Sequence, residues 1–236
     1  MTTAIVLAGG LGTRLRTVVP DWPKPMAPVA GKPFLTYLLD YWTGQGIDHF
    51  VLSVGYRHEA IIDYFGDSYH GVLIDYVIET EPLGTGGALR MAARHCDNRQ
   101  GFLLLNGDTF FAVDLLSLRD FASENRADMC LSLFETTAGQ RYLGVELGDD
   151  GIIASLHHHS DRDRCLVNGG VYWCEPGRLC LETYASGSCS LENDVFPAFL
   201  SNQCRIAGLA FNAPFIDIGI PEDYHRAEQF LTQGAS

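Results

Sequence analysis

The feature that most restricts this chain is a glycine-rich turn set directly behind an apolar run. Ala4–Leu7 reads as a short strand and leads into Leu7-Ala8-Gly9-Gly10-Leu11-Gly12-Thr13-Arg14-Leu15. Three glycines in four positions let a backbone approach a ligand closely, with N–H groups to hold phosphate oxygens. An incidental tight turn would account for the glycines, but not for Arg14 and Lys24 following so soon. Two other phosphate loops are excluded. No Lys-Ser or Lys-Thr closes the segment as a Walker loop requires, and Leu15 stands where a dinucleotide fingerprint needs its third glycine.

The first half keeps that strand-then-helix rhythm. His49–Val54, Ile74–Ile78 and Phe102–Leu105 read as apolar strands. Phe34–Gln45, Glu59–Phe65 and Gly86–His95 carry apolar residues at helical spacing. The alternation predicts an α/β fold, a mainly parallel sheet with helices on both faces. Ligands in such sheets lie beyond the carboxyl ends of the strands, here after Leu7, Ile78 and Leu105. From about residue 129 the pattern turns to strands with short polar connections: Met129–Phe134, Leu143–Leu147, Ile152–Leu156, Leu166–Trp173 and Arg205–Phe211. Asp149-Asp150-Gly151 marks a hairpin. Pro221–Phe230 is expected to form a last helix, with Glu222 and Asp223 in its first turn. Without a linker or repeat, residues 1–236 read as one domain, 1–128 facing the nucleotide and 129–236 the second substrate.

Charge narrows the ligands. A formal net charge of −13 would repel nucleic acid and anionic membrane over most of the surface. The only two lysines, Lys24 and Lys32, share one early segment with Arg14 and Arg16, so any phosphate site is local. No apolar run reaches the roughly 18 residues of a membrane span, and the N-terminus does not read as a signal peptide. Seven cysteines without a C-x-x-C pair are expected to be reduced thiols of a cytoplasmic protein.

Further segments carry chemistry. Prolines on both sides of Lys24 disfavour helix and are expected to hold the ammonium on a stiff, extended stretch. Glu79-Thr80-Glu81-Pro82-Leu83-Gly84-Thr85-Gly86-Gly87 leaves room for a flat base or a sugar against the backbone, with Thr85 as helix cap the plainer reading. Asn106-Gly107-Asp108 ends a strand and sets a carboxylate where a hard cation such as Mg²⁺ would bind. Asp217 lies in the apolar run Phe215–Gly219, where an unpaired carboxylate would be costly to bury; the two aspartates form a candidate metal pair. Asn168-Gly169-Gly170 suits a sugar lying on the backbone or, equally, a strand bulge. Glu192 is a candidate partner for sugar hydroxyls or a helix-start acid. His157-His158-His159 cannot all face one ion, because neighbouring side chains on a strand point to opposite faces.

Together the pieces LAGGLGTRL (7–15), PKPM (23–26), EPLGTGGA (81–88), NGD (106–108), NGG (168–170) and FIDIGIPEDY (215–224) resemble the sugar nucleotidyltransferase family. The likeness runs from the first strand to the last helix. DWPKPMAPVAGKPF, EPLGTGGA and IDIGIPEDY are most similar to the bacterial heptose 1-phosphate guanylyltransferases. The resemblance implies a Rossmann-like fold that joins a nucleoside triphosphate, GTP favoured, to a sugar 1-phosphate and releases pyrophosphate. It implies that Leu7, Ala8, Gly9, Gly10, Gly12 and Thr13 hold the triphosphate and that Arg14 and Lys24 neutralise it. Glu79, Pro82, Gly84, Thr85, Asn106 and Gly107 would line the nucleotide site, and Asp108 and Asp217 would hold Mg²⁺. Gly144, Asn168, Gly169 and Glu192 would line the sugar site. Relatives often carry a Glu-Lys pair where this chain reads His157-His158-His159. Either a histidine or an arginine (Arg162 or Arg164) replaces that lysine, or the sugar phosphate is gripped differently. Mannose-1-phosphate guanylyltransferase, glucose-1-phosphate cytidylyl- or thymidylyltransferase and a non-catalytic nucleotide-sugar sensor remain alternatives, and a homo-oligomer is compatible with all. An NAD-dependent oxidoreductase is disfavoured by the broken third glycine and by Val54-Gly55-Tyr56, which offers no acid for a ribose.

Overall fold

The central strands have no polar side because both their faces are covered. The computed structural model describes residues 1–10, 12–97, 99–157, 164–175, 179, 181–184 and 187–233. In chain order the elements are β1 Thr3–Ala8, β2 Pro28–Val29, β3 Lys32–Pro33, α1 Phe34–Gly44, β4 His49–Val54, α2 His58–Phe65, β5 Ser68–Tyr69, β6 Val72–Ile78, α3 Gly84–Ala92, β7 Phe102–Asn106 and β8 Thr109–Phe111. There follow α4 Leu115–Glu124, β9 Met129–Thr136, β10 Gly144–Leu147, β11 Ile153–His157, β12 Cys165–Cys174, α5 Leu181–Tyr184, α6 Phe196–Ser201, β13 Ile206–Ala210, β14 Phe215–Asp217 and α7 Pro221–Gln233. One ten-stranded sheet runs β11-β10-β12-β7-β1-β4-β6-β5, with β9 and then β13 attached to β12. β7, β1, β4 and β6 are parallel neighbours, whereas β12 joins β7 antiparallel and β10–β11 form the hairpin around Gly151.

Side chains alternate between two cores. Ala4, Val6, Phe50, Leu52, Leu103 and Leu105 face one core with Leu35, Leu39 and Trp42 of α1, Ile61 of α2 and Leu118 of α4. Ile5, Val51, Phe102 and Leu104 face the other with Leu89 of α3 and Phe196 and Phe199 of α6. The period-2 pleat thus hides itself in the sequence, since both phases of it are apolar.

Two local differences from the sequence pattern have physical reasons. Residues 115–124, to which the pattern assigns no element, form α4. Asp114 caps it by accepting from the Ser117 N–H at 2.7 Å, and Leu115, Leu118 and Ala122 are buried at helical spacing. Exposed Leu116 beside them blurs that periodicity. Lys24, expected on an extended stretch, instead begins a 3₁₀ turn, Lys24–Met26. Pro25 sits in its first turn, where a missing N–H costs nothing; Pro23 before the turn is extended. No helix among the described residues is long and apolar enough to cross a membrane.

Candidate active site

The carboxyl ends of β1, β6 and β7 open into a cavity of about 460 Å³. Its walls include Leu7, Ala8, Gly9, Gly10, Gly12 and Thr13 behind β1, Glu79, Pro82, Gly84 and Thr85 behind β6, and Asn106 and Gly107 at the end of β7. All twelve residues assigned to the nucleotide from sequence therefore meet at one place. Five glycines stand in this wall, and packing explains why glycine recurs. A Cβ on Gly9 would collide with the Glu79 carboxylate, and one on Gly107 would lie 2.6 Å from the Leu7 carbonyl oxygen. Gly84 has φ +69 and abuts the Cys189 carbonyl, a region L side chains rarely adopt. Glu79 is held by the Ser53 hydroxyl at 3.0 Å and the Leu83 N–H at 3.3 Å. Burial pushes its carboxyl above the usual range, against the pull of those two donors.

A second cavity of about 290 Å³ adjoins the first, sharing Thr85, Asn106 and Asp108 with it. Here side chains do the lining: Arg14, Thr109, Arg141, Tyr142, Asn168, Glu192 and Asp217 among them. Asn168 is buried and donates to the Tyr172 hydroxyl at 2.7 Å and to Glu192 Oε1 at 3.2 Å, while its Oδ1 accepts from the Gly170 N–H. The ladder shifts register between Asn168 and Tyr172, so the bulge and the cavity wall are one feature. Gly170, with φ +76, leaves space where a Cβ would strike Asn106 and Thr109. The buried Thr109 hydroxyl has no partner among the described residues.

The cavities meet at a cluster of charge. The β8–β14 ladder pairs Thr109 with Asp217, and the Ile218 N–H donates to the Asp108 carbonyl, which brings the two aspartates side by side. Lys24 donates to Asp108 Oδ2 at 2.7 Å. A point where Gly219 would carry a Cβ lies 2.6 Å from Asp217 Oδ1 and 3.1 Å from Lys24 Nζ, so the lysine serves both carboxylates' neighbourhood. Burial first, and the charge of Asp108 second, push the Asp217 carboxyl up; the Gly219 N–H, Lys24 and Arg141 pull it back. Two mutually repelling hard-oxygen donors, both partly buried, suit a divalent cation that substrate phosphates complete. Among the described residues no third acidic, His or Cys side chain joins them.

Some expected residues lie elsewhere. Arg14 lines the second cavity and not the first. Thr85, considered as a helix cap, instead accepts from the Leu191 N–H at 2.8 Å, tying the 189–191 stretch to α3. Gly144 lines neither cavity; it pairs with His157 and Val167 on the sheet, and a Cβ there would meet the His157 ring at 2.5 Å. His157 and Arg164 border a separate hollow, where Arg164 pairs with Glu135 at 3.3 Å. His158, His159 and Arg162 lie outside the described residues. Arg141, Tyr142 and Thr109 are cavity residues that the sequence pattern does not single out. The one signal for Arg141 is Asp223, an acid in the first turn of α7 that is buried and accepts from Arg141 Nη2 at 2.6 Å.

Residues 3–234 match a family model described as nucleotidyl transferase. The chain is 44% identical to the D-glycero-alpha-D-manno-heptose 1-phosphate guanylyltransferase of Aneurinibacillus thermoaerophilus, across 97% of each chain. It is 37% identical to the mannose-1-phosphate guanylyltransferase of Mycobacterium tuberculosis, over 98% of this chain and 65% of that one. Its fold is similar to the crystal structure of HddC from Yersinia pseudotuberculosis complexed with GMP-PN, with a TM-score of 0.84, 35% identity, and 97% and 99% coverage.

Proposed function

This chain belongs to the nucleotidyl transferase family, and from that premise we propose that it transfers GMP from GTP to D-glycero-α-D-manno-heptose 1-phosphate, releasing pyrophosphate. The observation that carries the reading is the junction of two cavities, one glycine-rich and one lined by polar side chains, at Lys24, Asp108 and Asp217. Relatives that match this chain nearly end to end are guanylyltransferases for that heptose phosphate.

The attacking group is a phosphate oxygen of the sugar 1-phosphate, already largely ionised at neutral pH. It displaces pyrophosphate in line from the α-phosphorus, so the protein supplies no general base. Its task is to bring polyanions together and to offset the charge that gathers. The glycine loop cradles the triphosphate with backbone N–H groups. Lys24, steered by Asp108, and Arg14 stand at the seam where the two anions converge. Asp108 and Asp217 would hold Mg²⁺, which supplies charge neutralisation across the phosphates when bound. Asn168, fixed by Tyr172 and Glu192, presents a rigid polar wall to the sugar, and the unpartnered Thr109 hydroxyl offers a further hydrogen bond.

Glu79 supports guanine as the base. It and Asp108 are the only carboxylates among the described lining of the first cavity. A carboxylate in its ionised form accepts and never donates, matching the two adjacent N–H donors of guanine's pairing edge, whereas uracil and thymine present a single N–H flanked by two carbonyls. Surface polysaccharide synthesis in the cytoplasm is the setting that suits such a product.

Pyrophosphate release, measured with Mg²⁺ over several nucleoside triphosphates and sugar 1-phosphates, tests the reading. Release with GTP and a manno-configured heptose 1-phosphate is expected. Mannose 1-phosphate as the better acceptor would move the substrate, another base would move Glu79's role, and silence throughout would leave the sensor alternative.

A further inference from the structure

We infer that Arg141 grips the phosphate of the sugar 1-phosphate. The inference rests on the nucleotidyl-transfer reading and adds the residue that anchors the acceptor substrate. The second cavity is hostile to a phosphate as it stands. Asp108, Glu192 and Asp217 all line it, and among its described lining only Arg14 and Arg141 carry positive charge. Lys24 lines the first cavity and is taken up by Asp108. Arg14 also lines this cavity, but it extends from the glycine loop whose other residues wall the first one. Arg141 is the cation that comes from the other half of the chain, just before β10.

Its geometry suits a phosphate clamp. Asp223 of α7 takes one N–H of the guanidinium, through Nη2 at 2.6 Å. The same Nη2 stands 3.9 Å from Asp217 Oδ2, beyond hydrogen-bonding range, so the group borders the proposed metal carboxylate without being consumed by it. Among the described residues Nη1 and Nε have no acceptor and are the donors left for a ligand, and a guanidinium presents its donors as a planar fork matched to phosphate. The fork is also held in place: it lies 5.2 Å from the Tyr142 ring centroid, and Tyr142 lines the same cavity. A purely structural Arg141–Asp223 pair explains less. Asp223 already has a second cation, Arg226 at 3.2 Å, so it needs no arginine drawn from the cavity wall to be neutralised.

Steady-state kinetics of the 236-residue protein distinguish the two roles. Arg141→Ala is expected to raise KM for the sugar 1-phosphate by about 10–100-fold, the scale of a lost charge-assisted bond. KM for the nucleotide should stay within about twofold of wild type. Arg141→Gln keeps the stem and a donor for Asp223, so it serves where the alanine variant folds poorly; it should show the same selective rise. Arg141→Lys should recover part of the loss, because a point charge remains. Arg226→Ala, on the outer side of Asp223, should leave both constants unchanged. A folded Arg141→Gln protein with an unaltered sugar-phosphate KM overturns the inference, whatever its melting temperature. So does an equal rise in both KM values, which would assign Arg141 to Asp217 instead. Wild-type protein that releases no pyrophosphate with any sugar 1-phosphate would sink the parent reading, an outcome visible before any variant is made.

Discussion

The two cavities are built from different materials. The first is rich in glycine, behind β1 and β6, whose missing Cβ atoms leave room, and in its described lining only Glu79, Lys24 and Asp108 contribute charge. The second is side chain, with two arginines, three carboxylates, two amides and two tyrosines in its described lining, of which Asn168, Tyr172 and Glu192 brace one another and Arg141 is braced by Asp223 of α7. A triphosphate presents the same oxygens whatever base it carries, so a backbone cradle serves it well. A sugar presents hydroxyls in a particular configuration, and these are read by oriented side chains. Variants on the two sides should therefore fail in different ways.

The largest effect is expected where the regions join. Lys24→Ala should lower kcat by about 10²–10³-fold, the scale for removing one preorganised charge-stabilising group, with KM values less affected. Near-normal turnover would detach the lysine from the chemistry. On the backbone side, Gly84→Ala forces a side chain into φ +69 against the Cys189 carbonyl and should cost about 1–3 kcal/mol of stability. Thermal unfolding and GTP titration would check it; a tolerated alanine would mean that the cradle has slack. On the side-chain side, Asn168→Ala should raise the sugar-phosphate KM about tenfold and leave GTP binding alone. Equal weakening of both substrates would erase the distinction between the cavities.

The smallest effect concerns stability. Asp217 has its carboxyl pushed up in the fold by burial and by Asp108, so the folded state holds that proton more tightly than the unfolded chain does. Folding stability then falls as pH rises from the ordinary aspartate value through the raised one, and the loss persists above it. Asp217→Asn, which the proposed metal role makes inactive, should therefore melt slightly higher than wild type at pH 7 without Mg²⁺, and the gap should close in acid. A lower melting point for the variant at pH 7 would mean that Lys24 and Arg141 outweigh the burial cost.

The same contrast governs what the sequence reveals. Glycine and proline leave local marks, so the loop after Leu7, the segment 79–85 and the Asn106-Gly107-Asp108 turn are legible, and all converge on one cavity. The parallel core is legible from its apolar runs. Arg141 and Tyr142 are not, because nothing local distinguishes a cavity arginine from a surface one; its partner Asp223 is 82 residues away. The meeting of Asp108 and Asp217 depends on the β8–β14 ladder, and β8 is only three residues long. Gly144 shows the converse: a glycine whose packing reason is the His157 ring and not a ligand cavity.

The central claim is that a sugar phosphate oxygen attacks the α-phosphorus of a nucleotide held in the first cavity. Oxygen-18 placed in the phosphoryl oxygens of the sugar 1-phosphate tests it directly, with products followed by phosphorus NMR. All of the label should remain in the nucleotide sugar, part of it in the bridge between the two phosphorus atoms, and unlabelled pyrophosphate should form one for one. Label in the pyrophosphate, or GDP and inorganic phosphate in its place, would contradict the account.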